Sequence, residues 1–419
     1  MLPRHLADLL DRSLRSFPVA ILTGPRQVGK STLVESWAAR YHARYLTLDD
    51  RAALDQALAD PDGFLAAQEA PLVVDEVQRA PDLLRAVKRI VDRDRRPGRF
   101  LLTGSAHLST LTGVAETLAG RAAVHELYPF SWAERTRKPA ATTIDDLFEA
   151  ASSAGLLQRW KRSAPAARRV EMIDRIMAGG YPTPSLMRDE DARRTWFSSY
   201  RQTYIERDLR DLTSLENLPA FGRLLAFLSL RTGNILNVSD LARDAQLSIS
   251  SARRYLGLLE QTYQVFLLQP YFANVGKRLV KTPKVYVTDS GLGCHIAAVD
   301  AWETLERQHR VGAMVETFAA GELRKLLALA PGKTHLWYWR QEHGREVDFL
   351  LERAGEVVGV EVKWGSGAAS SDLAGLKSCE AALGRVWRLG VLLYGGTEVL
   401  ALDRKTIAVP FSIFFGRDQ

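Results

Sequence analysis

The sequence predicts an α/β protein: an N-terminal parallel sheet, a helical middle, a winged helix-turn-helix, and a C-terminal segment that returns to strands. Three observations predict it. In the first third, short apolar runs alternate with amphipathic stretches, the pattern of strands joined by crossover helices. From Ala133 to Leu230 the strand signal stops and helical periodicity takes over, interrupted by Gly179-Gly180-Tyr181-Pro182. Beyond a helical stretch at Gly312–Leu329, alternating strand patterns resume.

The elements follow in order. Phe17–Thr23, Tyr45–Leu48, Leu72–Asp75 and Phe100–Thr103 read as strands, with helices at Leu33–Tyr41 and Leu83–Asp92. Asn237 to about Asp289 reads as helix, turn, helix and two strands. The tail carries strands at Leu336–Arg340, Val347–Glu352 and Val357–Lys363. Four segments are expected: 1–135, 136–218, 219–295 and 296–419.

Composition narrows the function classes. A chain of 419 residues has room for several domains at roughly 100–200 residues each. At 46% hydrophobic and 25% charged it is too apolar to be disordered. Its two cysteines, Cys294 and Cys379, cannot form a disulfide framework, which points to a reducing compartment and a cytoplasmic location. No apolar run approaches the roughly 18 residues of a membrane span, and Asp8 and Asp11 argue against a secretion signal. The 56 Lys and Arg against 49 Asp and Glu give a charge of +7, compatible with a nucleic-acid partner and equally with solubility alone.

The sharpest motif is Gly24-Pro25-Arg26-Gln27-Val28-Gly29-Lys30-Ser31-Thr32, which fits G-x-x-x-x-G-K-[ST] between a strand and a helix. Backbone N–H groups of such a loop wrap phosphates, Lys30 reaches the β and γ phosphates, and Ser31 holds Mg²⁺. Leu72-Val73-Val74-Asp75-Glu76 ends an apolar strand in two acids. Asp75 can orient Mg²⁺, and Glu76 can polarise the attacking water as a general base. The expected cofactors are therefore ATP and Mg²⁺. Ser105, with Thr103 as alternate, could sense the γ-phosphate from the next strand; a plain turn is the other reading. Arg121 could serve as an arginine finger on a neighbouring copy of the chain, which would require a homo-oligomer.

With these residues in view, GPRQVGKST, LVVDEVQ, FLLTGSA, LAGRAAVHELYPFSWAE, GGYP and SYRQTYIERDLRDL resemble bacterial and archaeal ATPases of the AAA_14 type joined to a C-terminal DUF4143 region. The resemblance spans nearly the whole chain. It implies a P-loop NTPase of the additional-strand class, related to the AAA+ and STAND groups.

In the middle, Ser239 is expected to cap a helix beginning near Asn237, followed by a turn at Gln246-Leu247-Ser248 and a second helix. Leu241, Ala245, Leu247, Ala252, Leu256 and Leu259 would form its interior. Ser250, Ser251, Arg253 and Arg254 would face a DNA or RNA groove. Lys277, Arg278, Lys281 and Lys284 would form a cationic wing for phosphate contacts. The competing reading is a lid or protein-partner surface.

In the tail, Glu316 sits on a helix, Asp348 on one strand, and Glu361 and Lys363 on one face of the next. A hairpin could bring the carboxylates onto one Mg²⁺, with Lys363 stabilising the attacking water. The order resembles the PD-(D/E)XK nuclease fold, a restriction-endonuclease-like domain, although Val347 stands where that motif has proline. The domain either cleaves nucleic acid or keeps the fold and only binds. Cys294-His295 lacks a second ligand pair and reads as structural, as do Trp337, Tyr338 and Trp339. The chain is therefore expected to be an ATPase, either driving action on nucleic acid or switching the binding of an unidentified protein partner.

Overall fold

The computed structural model describes residues 2–105, 118–160, 166–205, 217–272, 282–330, 332–341 and 344–416. The chain divides into two compact units. One comprises Arg4–Pro129 with Leu259–Gln264; the other comprises Met1–Pro3, Phe130–Leu258 and Val265–Gln419.

The first unit is built on a parallel sheet of β1 (Val19–Thr23), β2 (Arg44–Thr47), β3 (Leu72–Asp75), β4 (Phe100–Thr103) and β5 (Ala122–Glu126). Its order is β2-β3-β4-β1-β5, so β4 stands between β1 and β3, the additional-strand arrangement. Because helices cover both faces of such a sheet, its central strands are continuously apolar and buried rather than alternating. The helices after β1 and β3 are α1 (Lys30–Tyr41) and α2 (Leu83–Arg93). Leu83, Leu84, Val87 and Val91 form the buried stripe of α2. Each such side chain contributes about 1.5–3 kcal/mol when fully buried. They join Val19, Ile21, Val74, Phe100 and Leu102 in one core. Strand β5 and the helix Arg51–Ala59 are additions to the sequence reading.

In the second unit, the described residues from Trp132 to Tyr200 carry short helices, among them Thr143–Glu149, Arg169–Ala178 and Glu190–Tyr200. Then follow α3 (Leu218–Leu230), β6 (Asn234–Ile235), α4 (Val238–Ala245), α5 (Ile249–Gln261), β7 (Val265–Leu268) and β8 (Lys284–Val287). The three strands form an antiparallel sheet in the order β6-β8-β7. The cap of α4 is Asn237, not Ser239. The Asn237 side-chain Oδ1 accepts the N–H groups of Ser239 and Asp240 at 3.0 and 3.2 Å, so the helix starts two residues earlier than a Ser239 cap would set it and Ser239 lies inside it.

The C-terminal portion starts with α6 (Val311–Ala328). It continues with β9 (His335–Arg340), β10 (Glu346–Arg353), β11 (Glu356–Lys363), α7 (Ala374–Leu383), β12 (Trp387–Tyr394), β13 (Leu400–Ala401) and β14 (Thr406–Pro410). These strands make a mixed sheet ordered β13-β14-β12-β11-β10-β9. Strands β9, β10 and β11 are antiparallel neighbours, whereas β11, β12 and β14 run parallel. Tyr338 and Trp339 are buried, in keeping with a core role. No helix among the described residues is long and apolar enough to cross a membrane.

Candidate functional site

The loop between β1 and α1 has the backbone its sequence demands. Gly24 adopts φ +140° and Gly29 φ +90°, with Gln27 also left-handed at +63°. Left-handed steps of this kind fold a loop into a concavity of backbone N–H groups. A Cβ at Gly24 would strike the Leu127 carbonyl, so only glycine lets the loop pass there. Lys30 opens the helix and is almost fully buried, and its ammonium donates to the Gly24 and Pro25 carbonyls at 2.9 and 2.8 Å. Ser31 is half-buried, while Gln27 and Thr32 are exposed. The loop, a lysine inside it and the twelve-residue helix behind it form a donor set that fits a triphosphate.

Asp75 ends β3 in a buried position. Its Oδ2 accepts Tyr45 Oη at 2.9 Å, and its Oδ1 accepts the Thr103 hydroxyl. The same hydroxyl accepts the Glu76 N–H at 3.2 Å. Burial and the Asp75 carboxylate push the Tyr45 phenol well above its usual value, so it stays a proton donor to Asp75. Glu76 follows in the left-handed region at φ +60°, a conformation that costs a non-glycine residue energy and collects at working sites. Its Oε2 accepts Gln78 Nε2 and lies 3.5 Å from Ser105 Oγ, which accepts the same Gln78 nitrogen at 3.0 Å. Glu76, Gln78 and Ser105 thus form one polar cluster at the strand ends. Ser31 and Asp75 are the residues that would hold Mg²⁺, which when bound would neutralise phosphate charge. Gln78 and Tyr45 were missed from the sequence, although Gln78 stands in the quoted LVVDEVQ.

Arg121 is tied within its own chain: its Nε donates to Asp92 at 2.5 Å and its Nη1 to the Ala119 carbonyl at 3.1 Å.

The second candidate cluster lies on α6, β8, β10 and β11. Lys284 was expected on an exposed wing, but it is 2% exposed and points inward. Its Nζ lies 2.8 Å from Glu316 Oε1, contacts Glu346 and stands 3.9 Å from Asp348 Oδ1. The other wing cations, Lys277, Arg278 and Lys281, lie outside the described residues. Tyr286 Oη also donates to Glu316 Oε1, at 2.6 Å. Asp348 Oδ2 accepts the Val362 N–H at 2.8 Å, and Lys363 donates to Glu361 Oε1 at 2.6 Å. Burial and then the Asp348 carboxylate push Glu316 up to about 7 and Glu361 up to about 8, against the pull of Lys284 and Lys363. Burial opposes the charge of Lys284, but Glu316, Asp348 and Glu346 outweigh it and hold the ammonium charged. Glu316 and Asp348 therefore share the Lys284 ammonium, while Glu361 pairs with Lys363 within the field of the Asp348 carboxylate. Among the described residues, however, no three His, Cys, Asp or Glu side chains stand at the spacing of a metal cage. Lys284, Glu346 and Tyr286 are the members that sequence reasoning missed.

Comparisons with known proteins bear on the whole chain. Residues 16–136 match a model described as AAA domain, residues 169–303 the domain of unknown function DUF8612, and residues 311–414 the domain of unknown function DUF4143. Uncharacterized protein Rv2008c of Mycobacterium tuberculosis is 32% identical over 408 residues, spanning 97% of this chain and 83% of that protein. Uncharacterized protein Mb2031c of Mycobacterium bovis matches to the same extent. Among solved structures, the Walker-type ATPase PABY2304 of Pyrococcus abyssi is similar at 15% identity and a TM-score of 0.43, over 71% of this chain and 96% of that one. A RuvB of Thermotoga maritima is similar at 15% identity and a TM-score of 0.30, over 67% and 95%. With a relative aligned along nearly its whole length and these models at its two ends, the chain belongs to the family that joins an AAA domain to a C-terminal DUF4143 domain.

Proposed function

We propose that the chain is a Mg²⁺-dependent ATP hydrolase that acts on nucleic acid. The observation that carries the hydrolase reading is the placement of Glu76 beside Ser105 at the ends of β3 and β4, in the same sheet as the phosphate loop after β1. Parallel sheets offer their ligand crevice at these carboxyl ends. Lys30 would hold the phosphates, Ser31 and Asp75 the Mg²⁺, and Glu76 would take the proton of the attacking water.

The nucleic-acid reading draws on the winged-helix order of α3 to β8 and on the front of α5, where Ser250, Arg253 and Arg254 are exposed while Ala252, Tyr255 and Leu256 are buried. That exposed face would meet phosphates, and ATP state would govern its engagement. Phosphate release measured with and without single- and double-stranded DNA or RNA, across a salt series, tests the reading. Stimulation that falls steeply with salt is expected.

A second reading has one specific observation in its favour. Lys284 neutralises the carboxylates of the nuclease-like portion from inside. On this reading the chain is an ATP-controlled switch for a protein partner and its C-terminal domain is inert. Absence of stimulation by any nucleic acid favours it.

A further inference from the structure

The nuclease-like order of the C-terminal elements calls for a divalent ion among Glu316, Asp348 and Glu361, and the residues present do not fit one. Both lone pairs of Glu316 Oε1 are used, by Lys284 at 2.8 Å and Tyr286 at 2.6 Å. Glu346, on the same face of β10 as Asp348, is ion-paired to the same ammonium. Asp348 Oδ2 is committed to the Val362 N–H. Glu361 Oε2 is buried without a hydrogen-bond partner, and Lys284 stands 3.9 Å from Asp348 Oδ1. Mg²⁺ demands oxygens at about 2.0–2.1 Å in a near-octahedral set, and a second cation next to a buried ammonium is repelled.

We propose that Lys284 is the resident cation of this carboxylate cluster: it stands in place of a divalent ion, and the wild-type domain grips its own strand β8 rather than a metal. The ammonium is well suited to this. It carries three donors on a flexible stem, which lets it reach Glu316 on α6 and Glu346 and Asp348 on β10 at once. The side chain is sealed from water, as a structural counter-ion must be and a wing phosphate contact cannot be. The consequence is a latent metal site, closed by one residue that joins the three-stranded sheet to the C-terminal sheet. The inference deepens the switch reading at this cluster and is independent of whether the first unit hydrolyses ATP.

The test is a Mn²⁺ titration of the full, nucleotide-free chain, followed by electron paramagnetic resonance and by the shift in thermal unfolding. In the Lys284→Met chain, which keeps the stem and removes the charge, a Mn²⁺ site is expected that the added Asp348→Asn change abolishes. In the wild-type background Asp348→Asn is expected to leave Mn²⁺ binding unchanged. A folded Lys284→Met chain that gains no Asp348-dependent site overturns the proposal. So does wild-type Mn²⁺ binding that Asp348→Asn removes, a result that decides the matter even if Lys284→Met does not fold. ATP turnover, read separately, reports on the hydrolase proposal and leaves this one untouched.

Discussion

Thr103 Oγ1 joins two functions at once, donating to the Asp75 carboxylate on the neighbouring strand and accepting the N–H of Glu76 at 3.2 Å. One hydroxyl therefore sets the position of both acids at the end of β3. Thr103→Val keeps the shape and removes both bonds, leaving a buried carboxylate oxygen and an amide short of partners. The expected destabilisation is about 1–3 kcal/mol, measured by urea denaturation. A loss in turnover greater than the loss in nucleotide affinity should accompany it.

Asp289 explains why Gly179-Gly180 interrupts the helical middle. Its buried carboxylate accepts the Gly180 N–H at 2.7 Å and, as the cap of the helix Ser290–Ile296, the Leu292 N–H at 2.9 Å. Asp289→Ala orphans both donors, and the expected cost is roughly 2 kcal/mol or more. Chemical denaturation checks it. Asp289→Asn, which keeps an acceptor oxygen, should lose less.

Arg121 separates a finger from a surface ion pair. If it completes the site of a neighbouring copy, Arg121→Ala should lower turnover by about 10³-fold or more while ATP still binds, and wild-type specific activity should rise with protein concentration. If it serves only Asp92, Asp92→Asn and Arg121→Ala should look alike and neither should touch turnover. Phosphate release across a dilution series distinguishes the two.

Arg253 and Arg254 are expected to contact phosphate from the exposed front of α5. Replacing either by Ala should weaken DNA binding evenly across sequences and reduce the slope of log affinity against log salt by about 1. Equal slopes in wild type and both variants would remove nucleic acid from this surface.

Much of the first unit was legible in the sequence because its strands are short apolar runs that end in chemistry. Leu72–Asp75 stops at two acids and Phe100–Thr103 at a glycine, and both boundaries agree with the structure. Strand β5 was not legible: Ala122–Glu126 is a half-exposed edge strand without the apolar run that marks a buried one. In the tail, strand parity puts Glu361 and Lys363 on one face, and in the same way it puts Glu346 on the face of Asp348, where both meet Lys284. Lys284 was misplaced because nearby cations along the chain suggested a wing. What decides its position is a long-range partner, Glu316, thirty-two residues away. A lysine two residues before a buried tyrosine, on the same face of a strand otherwise apolar, was the available signal.

The most direct test of the account is phosphate release and nucleotide binding by wild type, Glu76→Gln and Lys30→Ala. Glu76→Gln preserves shape and removes the base, so it should bind ATP as the wild type does and lose turnover by about 10²–10⁴-fold. Lys30→Ala should lose both binding and turnover. Equal rates of phosphate release in all three proteins would contradict the assignment of ATP hydrolysis to this site.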